Sequence, residues 1–101
     1  MNIINGTKIL VYDYLYRGRE HARTAGELAM LLDCDPRDIS RAIERERRDG
    51  YPIAADCCNG AKGYYIPMNK REMIAYCNRL ENRVRTIKNT LSACRKAARK
   101  L

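Results

Sequence analysis

The chain has no tryptophan and no phenylalanine, and His21 is its only histidine. Seven tyrosines therefore supply all the aromatic mass, and each must place its hydroxyl near a partner or water. Long apolar runs are missing too. None approaches the roughly 18–20 residues that a membrane-spanning helix needs. The opening "MNIINGTKIL" lacks the basic flank and apolar stretch of an export signal, so a soluble, cytoplasmic protein is expected. There is no CxxC pair, and with a single histidine no four-ligand metal set suggests itself. The five cysteines (34, 57, 58, 77, 94) are odd in number and follow no framework spacing, so reduced thiols are expected. Cys57 and Cys58 are adjacent, cannot easily bridge each other, and are expected in a turn. No nucleophile–base motif and no phosphate-cradling glycine loop is present. The sequence therefore predicts neither an enzyme nor a cofactor.

What is there begins with charge. The formal net charge is +8. Residues 1–68 hold ten Lys/Arg and ten Asp/Glu, whereas residues 69–101 hold ten Lys/Arg against Glu72 and Glu81 alone. The whole excess lies in the last third. Such asymmetry points to a polyanionic partner, with nucleic acid ahead of an anionic membrane. At 46% hydrophobic and 32% charged residues the chain can still build one small core.

The elements follow from spacing and punctuation. Thr7 and Gly18 bracket an expected helix over 7–17. Thr24 with Glu27 forms a capping-box pattern before "AGELAMLL", whose Leu28, Leu31 and Leu32 share a face while Ala29 permits close helix approach. Pro36 suits the first turn of a second helix, carried by Ile39, Ala42 and Ile43 and ended by Gly50 and Pro52. Then "YPIAAD" and "GYYIP" flank "CCNGAKG", a hairpin signal centred on Asn59–Gly60.

From Asn69 onward there is neither glycine nor proline. Met73, Cys77, Leu80, Val84, Ile87, Leu91, Cys94, Ala98 and Leu101 recur in alternating steps of four and three. That is an unbroken heptad seam of coiled-coil length, with Cys77, Val84, Leu91 and Ala98 at a and the others at d. Its first turns, widened by Ile74 and Tyr76, are expected to pack on the chain's own domain. The rest is expected to self-associate, because such a helix outruns a small domain. A parallel pair would set Arg83 against Lys88 of its partner. An antiparallel pair would let Glu81 face Lys88 or Arg95, so antiparallel or higher-order association is favoured.

The stretch "TAGELAMLLDCDPRDISRAIERERRDGYPI" resembles the helix-turn-helix of bacterial winged-helix proteins, especially the N-terminal domain of biotin-ligase repressors. The similar features are Ala29, Ile39 and Ile43 on inner faces, and the run "RRDGYPI" into a strand. The resemblance covers about residues 7–67. It implies a mainly α fold with a small β-hairpin: a winged helix-turn-helix domain over 1–68, then a basic oligomerising helix (coiled coil) over 69–101. It also implies a major-groove reading helix. Asp35, Pro36, Arg37, Ser40 and Arg41 would lie near base edges, Arg45 and Arg48 near phosphates, and Asn59 and Lys62 at the tip of the wing.

Two positions depart from the family pattern. Asp33 stands where a turn glycine is usual, and Asp tolerates the left-handed conformation better than most residues. Glu46 stands where Leu is usual, and is expected to point to solvent or to pair with a neighbouring arginine as the helix end lifts from the core.

The competing reading of Arg37, Arg41 and Arg45 is an ordinary solvated face, laced by Arg41–Glu44 and Glu44–Arg48 pairs. Asp35 and Asp38 oppose phosphate, so a single head is expected to bind DNA modestly and dimerisation to matter. The expected function is a sequence-specific regulator binding double-stranded DNA as a homodimer, of phage or mobile-element type. The alternative is an oligomeric DNA-packaging or assembly module resembling a phage small terminase subunit. His21 is expected to be a surface polar residue.

Overall fold

The computed structural model describes residues 3–4, 7–58 and 61–101. Two short strands, β1 (Ile3–Ile4) and β2 (Thr7–Lys8), pair antiparallel. Single 3-10 turns follow at Val11–Tyr14 and Arg19–His21. Strand β3 (Arg23–Thr24) leads into helix α1 (Ala25–Leu32), and helix α2 (Pro36–Arg48) comes next. Strands β4 (Ala54–Cys58) and β5 (Ala61–Tyr65) form a hairpin, and α3 (Lys70–Ala98) closes the order. The result is mainly helical, with a three-stranded antiparallel sheet in the order β3-β5-β4.

Local chemistry sets each boundary of the two short helices. The Thr24 hydroxyl accepts from the Glu27 amide at 3.1 Å, and the Glu27 carboxylate accepts from the Thr24 amide at 2.9 Å. These bonds hold the Glu27 carboxyl below its ordinary range, the Thr24 backbone contributing most. The helix ends at Asp33 with φ 52°, the left-handed conformation that Asp tolerates. Asp35 then caps α2, with Asp38 reaching back to its amide and Pro36 in the first turn. Past the end of α2, Gly50 has φ 102°, a value that favours glycine, and the chain turns into the hairpin.

The core gathers Leu28, Ala29 and Leu32 of α1, Ile39, Ala42 and Ile43 of α2, and Ile53, Ala54, Tyr64, Tyr65 and Ile66 of the hairpin region. Leu31, expected on the same face as Leu28 and Leu32, is instead 53% exposed. Three α-helical residues subtend more arc than the inward face of α1 covers, and the outermost is left in water.

The expected helix over 7–17 does not form. Thr7 lies in β2 rather than at a cap, and only Val11–Tyr14 makes a helical turn. Two long-range interactions take this segment instead. The Ile66 amide donates to the Tyr16 carbonyl at 2.8 Å and the Gly18 amide to the Ile66 carbonyl at 2.9 Å, which holds residues 16–18 extended beside the sheet. The Val11 and Tyr12 amides both donate to the Glu46 carboxylate, each at 2.8 Å.

Glu46 is therefore neither in solvent nor paired with an arginine. Its exposure is 0%, at an α2 position surrounded by the core, and the helix end does not lift away. The first amides of a helical turn have no partner within the turn, and this side chain supplies one from 34 residues along the chain. Cys57 and Cys58 also depart from expectation, standing within β4 rather than in a turn. Asn59 and Gly60, the expected hairpin centre, lie outside the described residues, but the register pairs Cys58 with Ala61 across the position they occupy.

Burial raises the Glu46 carboxyl above its ordinary range, more than the Tyr12 and Val11 amides lower it, and Asp13 and Asp49 push the same way as burial. A carboxyl that holds its proton more tightly when folded favours folding most below its unfolded pKa. That contribution is lost as pH climbs through the raised folded value. The wild type should therefore lose stability relative to Glu46→Gln as pH rises from about 4.5, measured by denaturant titrations across pH. Glu46→Leu removes the acceptor of two amides and should cost about 1–3 kcal/mol at neutral pH despite its apolar side chain.

Candidate nucleic-acid interface and the root of the long helix

The inward face of α2 carries Ile39, Ala42, Ile43 and Glu46, all buried. The opposite face follows from helical periodicity. Arg37, Ser40, Arg41, Glu44, Arg45 and Arg48 line one shallow open groove along it. Five of the expected contact residues thus lie together, and the acidic Glu44 lies among them. Arg45 is half-buried and the others are exposed.

Glu44 decides how these arginines are occupied. Its carboxylate accepts from Arg47 at 3.0 Å, not from Arg41 or Arg48. Among the described residues, no ion pair engages Arg37, Arg41, Arg45 or Arg48. The network that would make this an ordinary solvated face is not formed. Asp35 and Pro36, expected near base edges, serve as cap and first turn of α2. The Asp35 carboxylate accepts from the Arg37 amide at 3.5 Å. Of the expected tip of the hairpin, Lys62 is exposed and Asn59 lies outside the described residues.

Periodicity alone did not mark Arg47 as distinct from its neighbours. It is the most connected side chain in the run "ERERRD". Its Nε donates to the Ile53 carbonyl at 3.0 Å, one terminal nitrogen donates to Glu44, and the other donates to the Tyr76 hydroxyl at 2.8 Å. The guanidinium also lies 5.3 Å from the Tyr76 ring centre and 5.9 Å from that of Tyr64. From α3, Arg79 donates to the Ala55 carbonyl at 3.3 Å and the Tyr65 hydroxyl at 3.1 Å, 5.5 Å from the Tyr76 ring centre. Arg47 and Arg79 thus bind Tyr76, which is 6% exposed, and join α2, the hairpin and α3.

Met73 and Leu80 pack partly buried beside this root, whereas Ile74 and Cys77 are exposed. The side chain that seats the helix is Tyr76. Its hydroxyl lets a buried aromatic meet an arginine, a role Ile74 cannot fill. From Glu81 to Leu101 every residue is exposed. Val84, Ile87 and Leu91 present 51%, 59% and 47% of their surface to solvent. The distal seam, including Cys94 and Ala98, therefore has no cover within the chain. On an adjoining face, Lys88, Leu91, Ser92, Arg95 and Arg99 line a second shallow groove.

Elsewhere, Arg19 is paired with Asp56, and Arg23 stacks 4.2 Å over the Tyr16 ring while donating to its hydroxyl at 2.6 Å. His21 is exposed at the surface. Strand β3 had no sequence signal of its own, since two residues are too few for a period. It forms because Arg23 and Thr24 pair with Tyr64 and Gly63 of β5. Among the described residues, no cluster of His, Cys, Asp and Glu is arranged to hold a metal ion, and no helix is long and apolar enough to cross a membrane. Cys34 is half-buried, and burial pushes its thiol up, as do Asp38, Asp33 and Asp35. No family model, characterised protein or solved structure matches this chain.

Arg47→Ala should loosen the root of α3 while sparing the groove on α2. Amide exchange in residues 70–80 should accelerate, and stability should fall by about 1–3 kcal/mol from the charge-assisted bonds lost. Tyr76→Phe, which keeps the ring and removes one hydrogen bond, should cost about 1 kcal/mol.

Proposed function

We propose that this chain is a sequence-specific binder of double-stranded DNA, a winged helix-turn-helix regulator of phage or mobile-element type that acts as a dimer. The observation that carries the reading is the solvent face of α2. It groups Arg37, Ser40, Arg41, Arg45 and Arg48 on a rigid helix, with no ion pair among the described residues engaging these arginines. In a helix-turn-helix the second helix lies in the major groove, with its first turns on base edges. Arg37 and Arg41 stand there, one turn apart, and a guanidinium pairs bidentately with guanine. Arg45 and Arg48 follow along the same face, suited to phosphates.

The element order also supports the reading. A short strand before α1, the tight turn at Asp33 and a hairpin after α2 are what a winged helix-turn-helix requires. Its first helix is reduced here to a 3-10 turn, held by Glu46. The exposed seam on α3 favours more than one copy per complex. Rings of many subunits would instead favour a DNA-packaging or assembly role, and light scattering separates the two outcomes.

Affinity for random-sequence duplex DNA, measured over a salt series, should fall steeply as salt rises, with a log–log slope near −0.9 per phosphate contacted. Sequences selected from a random pool should enrich a motif. Arg37→Ala and Arg41→Ala should each cost about 1–3 kcal/mol on that motif and relax it at one position. Unchanged enrichment by both variants would remove α2 as the reading helix.

A further inference from the structure

The distal half of α3 has three distinct faces. The exposed seam of Val84, Ile87, Leu91 and Cys94 runs down one. Flanking it on one side, at heptad e and b positions, are Arg85, Lys88, Ser92, Arg95 and Arg99, most of which line the groove on the helix. On the other flank, at g and c positions, stand Thr86, Thr90, Ala93 and Ala97. Between residues 84 and 99 one flank is cationic and the other carries no charge at all.

This asymmetry makes chain direction decisive when two such helices meet. A parallel pair sets each e flank against a partner's g flank, so cationic and neutral sides alternate and Lys88 meets the partner's Arg83. An antiparallel pair sets e against e and g against g. One side of the ribbon then collects the basic residues of both copies, and the other is neutral. The head adds a steric condition. Met73, Tyr76 and Leu80 lie on the seam side and pack against the core, so a second helix cannot run fully alongside residues 73–80. A parallel partner would bring a second head into that same space.

An antiparallel register that uses the exposed seam brings Ile87 against the partner's Leu91 and Val84 against the partner's Cys94, each twice by symmetry. Glu81 then falls near the partner's Arg95, again twice, while Lys88 meets its own counterpart. Two attractions and one repulsion leave a modest net bias. Residual repulsion on the basic face would be relieved by a bound polyanion, so pairing and polyanion binding strengthen each other reciprocally.

We propose that α3 pairs antiparallel with α3 of a second copy through Val84, Ile87, Leu91 and Cys94, and that the pair gathers Arg85, Lys88, Arg95 and Arg99 of both chains into a second surface for DNA phosphates, separate from α2. This rests on the dimeric DNA-binding reading but fixes what that reading leaves open: the direction of the pair and the use of its basic excess. The two heads then sit at opposite ends of one helical ribbon.

Cysteine crosslinking tests the direction. In a chain whose other cysteines are Ser, Cys94 alone should give no disulfide dimer under mild oxidation. In the antiparallel pair the two Cys94 positions lie about 15 Å apart along the axis. Adding Val84→Cys should produce a covalent dimer, promoted by random-sequence duplex DNA, whereas Val84→Cys with Cys94→Ser should not. A disulfide dimer from Cys94 alone means a parallel pair, and no crosslink from any variant, with or without DNA, means no pairing through α3. Either result overturns the proposal. If the serine background does not fold, mapping crosslinked peptides in the native-cysteine chain carrying Val84→Cys distinguishes the same two directions. The phosphate surface is tested by Lys88→Gln, Arg95→Gln and Arg99→Gln together. These should flatten the salt slope on random duplex DNA by at least about 2 units, and an unchanged slope overturns that part. Crosslinking needs no DNA-reading helix, so a failure of Arg37 and Arg41 to read sequence does not alter the crosslinking pattern.

Discussion

The carboxylate of Glu46 accepts the Val11 and Tyr12 amides inside the core, and the arrangement around it depends on that contact. A 3-10 turn of four residues has almost no stability of its own. Here its N-terminal amides are satisfied by a charged acceptor fixed on α2, so Val11 is carried to 0% exposure and Leu15 to 7%. The same helix turn that reaches backward with Glu46 reaches outward with Arg47, which holds Ile53 and Tyr76. One residue ties α2 to the chain before it and the next ties it to the chain after it. The inward half of α2 is thus the junction of the domain, and the outward half is left to Arg37, Arg41, Arg45 and Arg48. A helix whose buried side is this heavily committed can present its other side with little freedom to move, which directional contact with base edges requires.

Much of the fold was legible because it is local. The capping boxes at Thr24 and Asp35, the turn residue Asp33, the stop at Gly50 and the seam of α3 each rest on residues within a few positions of one another. What escaped was long-range. The segment 7–17 has enough apolar residues for a helix, and nothing within it says that Glu46 and Ile66 take its backbone groups. Glu46 itself was visible as an anomaly, but an unpaired charge and an inter-element cap look alike until the partner amides are placed.

The proposed DNA-facing residues followed from helical periodicity and a resemblance, and the fold brings Arg37, Ser40, Arg41, Arg45 and Arg48 onto one face. The roles of Asp35 and Pro36 went the other way, since both are used in starting the helix. Arg47 could not be separated from Arg45 and Arg48 by sequence, because a charge run reads as one surface. Only Ile53 and Tyr76, brought near by the turn and the hairpin, distinguish it. Tyr76 was visible as part of a broadened apolar face, but its pairing with two arginines from separate elements was not.

The seating of α3 by Tyr76, between Arg47 and Arg79, has a mechanical side. Beyond its root the helix runs free for roughly 30 Å, at 1.5 Å per residue. A rod of that length magnifies small rotations: a tilt of about 10° at the root sweeps the far end through about 5 Å, close to one helical pitch. Such a displacement is enough to shift one seam past another by a turn. The precision with which the distal tip can be placed is therefore set at the other end of the rod, by two guanidinium groups and a tyrosine hydroxyl.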